Sequence, residues 1–161
     1  MTASTFTSTT PSARRKLIQQ TAAIAGGMLL LRSSPATATP ASLQSAIRSF
    51  TGGVVPRTGR VKLQIAELVE NGHAVPTSIS VDSPMSAESH VQRIGLFNER
   101  NPLPEVGIFE LSPANGRAQI DTRIRLATTQ SVVAIAQMND GSFWQHRVDV
   151  VVTLAACIEG G

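Results

Sequence analysis

From Val61 onward the chain alternates between apolar and polar positions. Val61, Leu63 and Ile65 stand at every second residue with Lys62 and Gln64 between them, the period of a half-buried strand. Glu70-Asn71-Gly72 supplies a turn, and Val75, Ile79 and Val81 mark a second strand ending near Asp82-Ser83-Pro84. A third strand is expected over roughly His90 to Phe97, stopped by Asn101-Pro102, and a fourth over Val106 to Leu111, stopped by Ser112-Pro113 and Asn115-Gly116. The cleanest alternation follows: Ala118, Ile120, Thr122, Ile124 and Leu126 share one face, and Gln119, Asp121, Arg123 and Arg125 the other. Next come S-V-V-A-I-A-Q-M, the tight turn Asn139-Asp140-Gly141, and a long run from Phe143 to Leu154. The turn predicts a hairpin, and Trp144, His146, Val148, Val150, Val152 and Leu154 share one face of the last strand. About seven short strands with turn chemistry between them predict an all-β fold, an antiparallel β-sandwich.

Ahead of the strands the period is helical. Leu43, Ala46, Ile47 and Phe50 fall on one helical face, with Pro40 at the start and Gly52-Gly53 at the end. A single short N-terminal helix is expected there. Earlier still, the chain reads as an export signal. A Ser/Thr-rich lead is followed by A-R-R-K-L-I-Q-Q, the apolar run A-A-I-A-G-G-M-L-L-L, and an A-x-A site at Ala36-Thr37-Ala38. The apolar run of about ten residues is too short to cross a bilayer core, which needs roughly twenty, so no membrane anchor is expected. Arg14 and Arg15, followed by Lys16-Leu17-Ile18, fit a twin-arginine signal, with Leu17 where phenylalanine is usual; a general secretory signal is the alternative.

The organisation expected is therefore a twin-arginine-type signal peptide over 1–38, a sandwich domain over 39–154 and a C-terminal arm over 155–161. The destination is the periplasm. The twin-arginine route carries folded proteins, often with a cofactor or partner loaded first. No cofactor motif stands in the sequence, so a co-exported partner accounts for the route.

The signal also changes the electrostatics. The chain has 14 basic and 11 acidic residues, but Arg14, Arg15, Lys16 and Arg32 lie before the cleavage site. The remainder carries 10 basic against 11 acidic residues, a net charge near −1. The basic isoelectric point belongs to the signal, and a nucleic-acid partner is excluded.

Candidate chemistry narrows to one thiol. His73, His90 and His146 stand apart from one another, with no second cysteine to complete a metal site, and read as surface or structural residues. No G-x-S-x-G, Walker loop, dinucleotide fingerprint or acid–base carboxylate pair is present, so an enzyme reading has no support. Cys157 is the only cysteine, inside the ending T-L-A-A-C-I-E-G-G. In an oxidising compartment it stays a free thiol, pairs between chains, or carries something. The last strand ends near Leu154, and three extended residues reach about 10 Å, which projects the thiol beyond the sandwich. Gly160 and Gly161 add backbone freedom. Glu159 and the terminal carboxylate put negative charge beside the thiol, and no neighbouring cation activates it. Cys157 is suited to being acted upon by other proteins.

Several segments resemble the SoxY family, the sulfur-carrier subunit of the Sox thiosulfate-oxidation system. They are E-N-G-H-A-V-P from Glu70, V-D-S-P-M from Val81, N-P-L-P-E-V from Asn101, S-P-A-N-G-R-A from Ser112, T-R-I-R-L-A-T-T-Q from Thr122 and D-G-S-F-W from Asp140. The resemblance implies an immunoglobulin-like sandwich, not itself an enzyme, that pairs with a SoxZ subunit exported along with it. It implies that Cys157 holds the sulfur cargo covalently, with no other cofactor. A c-type haem enzyme couples thiosulfate oxidatively to the thiol, and a manganese-dependent hydrolase releases sulfate from the resulting S-thiosulfonate. In some organisms a sulfane dehydrogenase oxidises the remaining sulfur.

The family arm usually reads Gly-Gly-Cys-Gly-Gly. Here it is Ala155, Ala156, Cys157, Ile158, Glu159, Gly160 and Gly161. The alanines restrict φ where glycine would not, and Ile158 adds branched bulk beside the thiol. Two other readings of the same residues are a sandwich module whose cysteine forms an interchain disulfide, and a thiol enzyme that would need a histidine within reach of Cys157.

Overall fold

The computed structural model describes residues 40–154; the segment expected to be an export signal, with Arg14 and Arg15, lies outside them, as does the expected arm 155–161 with Cys157. Helix α1 (Pro40–Thr51) forms where the helical period stands. Nine strands follow: β1 (Arg57–Thr58), β2 (Val61–Ile65), β3 (Leu68–Asn71), β4 (Val75–Val81), β5 (Val91–Asn98), β6 (Glu105–Glu110), β7 (Gln119–Ile124), β8 (Gln130–Met138) and β9 (Phe143–Leu154).

They build two sheets. The larger runs β1-β9-β8-β5-β6, with β3 also pairing β9, and the smaller runs β2-β4-β7. This is the layout of an immunoglobulin-like sandwich. The alternation read from the sequence fills the space between the sheets. Leu63, Ile79, Ile124 and Leu126 from one side meet Ile94, Leu96, Val132, Ala134 and Val150 from the other in one continuous core. Every described side-chain nitrogen or oxygen that is buried has a hydrogen-bond partner, as a low-dielectric interior requires.

Two pairings depart from the antiparallel expectation. β1 and β3 both run parallel to β9, Arg57 opposite Trp144 and Leu68 opposite Val151. The chain travels along one edge of β9, and its middle part, β2, leaves to pair with β4 in the other sheet. β1 and β3 are only two and four residues long, too short to show a period, which is why the sequence reveals about seven strands. Where β2 departs from the edge, a side chain takes over from the backbone. The Leu63 N–H donates to His146 Nδ1 at 3.0 Å, so the neutral ring carries its proton on Nε2. His146 is the structural residue the sequence suggested.

The larger sheet has a second buried face. Phe97, Val133, Ile135 and Phe143 point away from the first core and meet Leu43 and Phe50 of α1, with Ala46 and Ile47 packed alongside. Phe50 sits edge-on to Phe97 at 5.5 Å and to Phe143 at 6.0 Å, and the Arg93 guanidinium lies 5.0 Å from its ring centre. Phe50 thus ties the C-terminal end of α1 to two residues of the sheet, while Leu43 is buried nearer its start. Phe50→Ala is expected to cost about 3–5 kcal/mol in urea unfolding, a large share of a typical domain's stability. Val55→Ala, at a position 82% exposed, should shift it by no more than about 0.5 kcal/mol. Equal effects would show that α1 is not anchored through Phe50.

Candidate functional site

The predicted site residues Cys157, Ala155, Ala156, Ile158, Glu159, Gly160 and Gly161 lie outside the described residues. What the structure shows is the place from which they depart. β9 is the longest strand, twelve residues, and its last residue is the exposed Leu154.

The end of β9 is held from both sides. On one edge, β3 sets Val69 opposite Val152 and Asn71 opposite Leu154. The Val151 N–H donates to the Glu67 carbonyl at 2.7 Å, and the Gly72 N–H donates to the Leu154 carbonyl at 3.1 Å. The Thr153 hydroxyl donates to the Glu70 carbonyl at 3.2 Å. On the other edge the Val152 N–H donates to Thr129 Oγ1 at 3.0 Å. At about 1 kcal/mol net for each bond, peeling these residues away would cost roughly 4 kcal/mol. The strand is therefore fixed up to Leu154, three residues before Cys157.

Gly72 makes this clamp possible. Its carbonyl accepts the Leu126 N–H at 2.8 Å, and a Cβ at this position would run into the Leu126 carbonyl oxygen. Only a residue without a side chain lets the two backbones approach this closely. Behind Leu126 the 125–130 turn is fastened by Asn101. Its Nδ2 donates to the Arg125 carbonyl at 2.7 Å, and its Oδ1 accepts from the Ala127 N–H and from Gln130 Nε2, both at 2.9 Å. Gln130 Oε1 in turn accepts the Arg100 N–H at 2.8 Å.

Beside the root lies a cleft of about 200 Å³ between Glu99, Arg100, Thr129 and Val151. Arg147 bridges Glu99 at 3.9 Å and Asp149 at 3.7 Å there, while the Ser131 hydroxyl donates to Asp149. Arg147 and Asp149 are exposed and Glu99 only partly so; at these distances the pairs carry small energetic weight, and they leave little net charge next to the root.

The histidines do not converge. His73 follows the Asn71 turn, His90 is hydrogen-bonded near Ser86 and Asn139, and His146 serves Leu63. Among the described residues no three His, Cys, Asp or Glu come together as a metal site needs. No described helix is long and apolar enough to cross a membrane.

A family model for the sulfur oxidation protein SoxY matches residues 47–157, from within α1 through to the cysteine. The chain belongs to the SoxY family. Among solved structures, the sulfur carrier protein SoxY from Chlorobium limicola f thiosulfatophilum is 24% identical, with a TM-score of 0.59 over 70% of this chain and 92% of that one. A superoxide reductase (neelaredoxin) from Ignicoccus hospitalis is 19% identical, with a TM-score of 0.53 over 71% of this chain and 94% of that one. At these identities the likenesses show the sandwich fold alone. A comparison with curated protein sequences finds no match.

Three of the segments that carry the SoxY resemblance now have a position. E-N-G-H, N-P-L-P-E-V and R-L-A-T-T-Q meet at the end of the sandwich where β9 emerges, through Gly72, Asn101, Thr129 and Gln130. Sequence reading treated Glu70-Asn71-Gly72 and Asn101-Pro102 as turns and strand stops. It missed that they fasten the arm's root, because the contacts join residues far apart in the chain. Gly72→Ala is expected to lower stability by about 1–3 kcal/mol and to speed amide exchange at Leu126 and Val151. Unchanged exchange at both would show that Gly72 does not hold the root.

Proposed function

We propose that this SoxY protein is a periplasmic sulfur carrier of thiosulfate oxidation, holding sulfur covalently on Cys157 and working as a complex with a SoxZ subunit. It is a carrier and not an enzyme. The observation that carries this reading is the family match running through Cys157, on a strand fastened to within three residues of it. A carrier needs a rigid body and a reactive end whose position is set by a fixed root. The clamp of Glu67, Glu70, Gly72 and Thr129 on β9 supplies the root.

The chemistry asks little of the carrier itself. Coupling removes the thiol proton and two electrons as the Cys157 sulfur bonds to the sulfane sulfur of thiosulfate, and a c-type haem enzyme accepts the electrons. Water then attacks the outer sulfur in a manganese-dependent hydrolase, releasing sulfate and leaving a persulfide on Cys157. A sulfane dehydrogenase acts on that remaining sulfur. Each step takes place in a partner's site, so Cys157 has only to reach it. Ala155, Ala156, Ile158, Glu159, Gly160 and Gly161 form the segment the partners accept, wider at Ile158 than an all-glycine arm. Arg14 and Arg15 direct export by the twin-arginine route, taking the folded complex to the periplasm.

The test is the intact mass of the protein from cells oxidising thiosulfate, before and after reductant. Reducible thiosulfonate or sulfane adducts are expected on the wild-type chain and none on Cys157→Ser. A bare thiol, or only a protein–protein disulfide, would overturn the carrier reading and leave the interchain-disulfide module in its place.

A further inference from the structure

At the end of the sandwich opposite the arm root, three arginines stand beside exposed apolar residues. Arg57 and Arg60 place their guanidinium carbons 5.7 and 5.2 Å from the ring centre of Trp144. They line a concavity of about 520 Å³ with Val54 and Asp140. Val54 is shared with a second hollow of about 190 Å³ that contains Arg48 and Val55, so the two form one surface. Val54 is 50% exposed and Val55 82%. Among the described residues none of these three arginines makes an ion pair or a side-chain hydrogen bond. Their guanidinium donors meet no acceptor among the described residues.

The arrangement is built. Gly59 has φ +118 and lies against the Trp144 ring, and Arg60 has φ +47, an uncommon backbone state for a residue with a side chain. Through this turn the backbone brings a second positive charge onto a ring that already carries one. The neighbouring carboxylate is engaged elsewhere. Asp140 Oδ1 accepts from the Ser142 N–H at 2.8 Å and its hydroxyl at 2.6 Å, and that hydroxyl accepts the Trp144 indole N–H at 3.2 Å. These bonds, with a smaller contribution from Arg60, hold the Asp140 carboxyl below its usual range. Arg48, Arg57 and Arg60 against Asp140 leave a surplus of positive charge here, although residues 39–161 carry 10 basic and 11 acidic residues.

We propose that Arg48, Val54, Val55, Arg57, Arg60 and Trp144 form the docking surface for an acidic edge of the carrier's partner subunit. The proposal rests on the carrier reading above and names which face that reading uses. Exposed arginines around a part-buried tryptophan, beside exposed aliphatic side chains, match the composition of a protein interface centre, and the guanidinium donors fit carboxylates. The apolar residues separate this surface from a simple anion site, since an inorganic oxyanion has no use for Val54 and Val55. Position supplies the functional sense. Trp144 and Leu154 are ten residues apart on β9, roughly 33 Å of strand. A subunit seated on Trp144 leaves the root of the cysteine arm uncovered, so the complex stays assembled while Cys157 enters the sites of other enzymes.

The test is titration calorimetry of the chain from residue 39 onward with a SoxZ subunit from the same organism, at low and high sodium chloride. Three proteins are compared: wild type, Arg57→Glu/Arg60→Glu, and the charge-matched control Arg123→Glu/Arg125→Glu. Near-ultraviolet circular dichroism confirms that each is folded. The wild-type affinity should weaken about tenfold or more with salt. The Arg57/Arg60 variant should bind at least about 100-fold more weakly than wild type, and the control within about threefold. Equal binding by all three, or a loss confined to the control, overturns the docking surface and leaves the partnership standing. Absence of wild-type binding overturns the surface and the SoxZ partnership together, while the mass test of Cys157 still judges the carrier role by itself. Trp144 is the only tryptophan, so its fluorescence reports this surface directly. A saturable change with thiosulfate or sulfate, with partner affinity indifferent to Arg57 and Arg60, would overturn the proposal in favour of a small-oxyanion site.

Discussion

The hydrogen bonding of β9 on both of its edges is the constraint on which the rest of the molecule depends. One edge pairs with β8 from Gln130–Val150 to Gln137–Phe143. The other takes β1 near its start and β3 near its end. Its inner face gives Val150 and Val152 to the main core, and its outer face gives Phe143 to the cluster under α1. A strand paired on both edges and packed on both faces cannot shift by one residue without moving every side chain to the wrong face. The register of β9 therefore sets where Leu154 stands, and with it where the segment bearing Cys157 begins.

The same strand separates two kinds of work. At its end, fixed backbone and a polar network through Asn101 and Gln130 fasten the 125–130 turn against Gly72. At its start, Trp144 gathers Arg57 and Arg60 from the turn that follows β1. Under the proposed function a carrier has to hold a lasting partner and present its cargo to several transient ones. With the proposed docking surface at one end of β9 and the segment bearing Cys157 beginning at the other, the two tasks would not compete.

The fold manages without a disulfide across the sandwich. Its single cysteine lies beyond the last strand, and the interior is built from aliphatic side chains of both sheets, with α1 covering the outer aromatic cluster. With no second cysteine in the sequence, Cys157 has no internal disulfide partner, which is what the proposed covalent-carrier role would require.

The periodicity of the sequence determined the long strands and the helix, because each has enough residues to show a two- or 3.6-residue repeat and one face to bury. Ala118, Ile124 and Leu126 are buried as the alternation requires, as are Leu43 and Phe50 on α1. The resemblance carried by E-N-G-H, N-P-L-P and T-T-Q marked the family. Tertiary structure decided what local pattern does not contain. β1 and β3 are too short for periodicity, and their parallel pairing with β9 joins residues more than 80 positions apart. Gly72 reads as a turn residue until Leu126 is seen against it, His146 as a surface or structural residue with no partner named until Leu63 meets it, and Arg57, Arg60 and Trp144 as unrelated positions until β1 lies beside β9. The physical reason is the same in each case. Alternation and propensity act between neighbours in the chain, whereas a clamp, a close backbone approach or a shared surface exists only where the folded chain brings distant residues together.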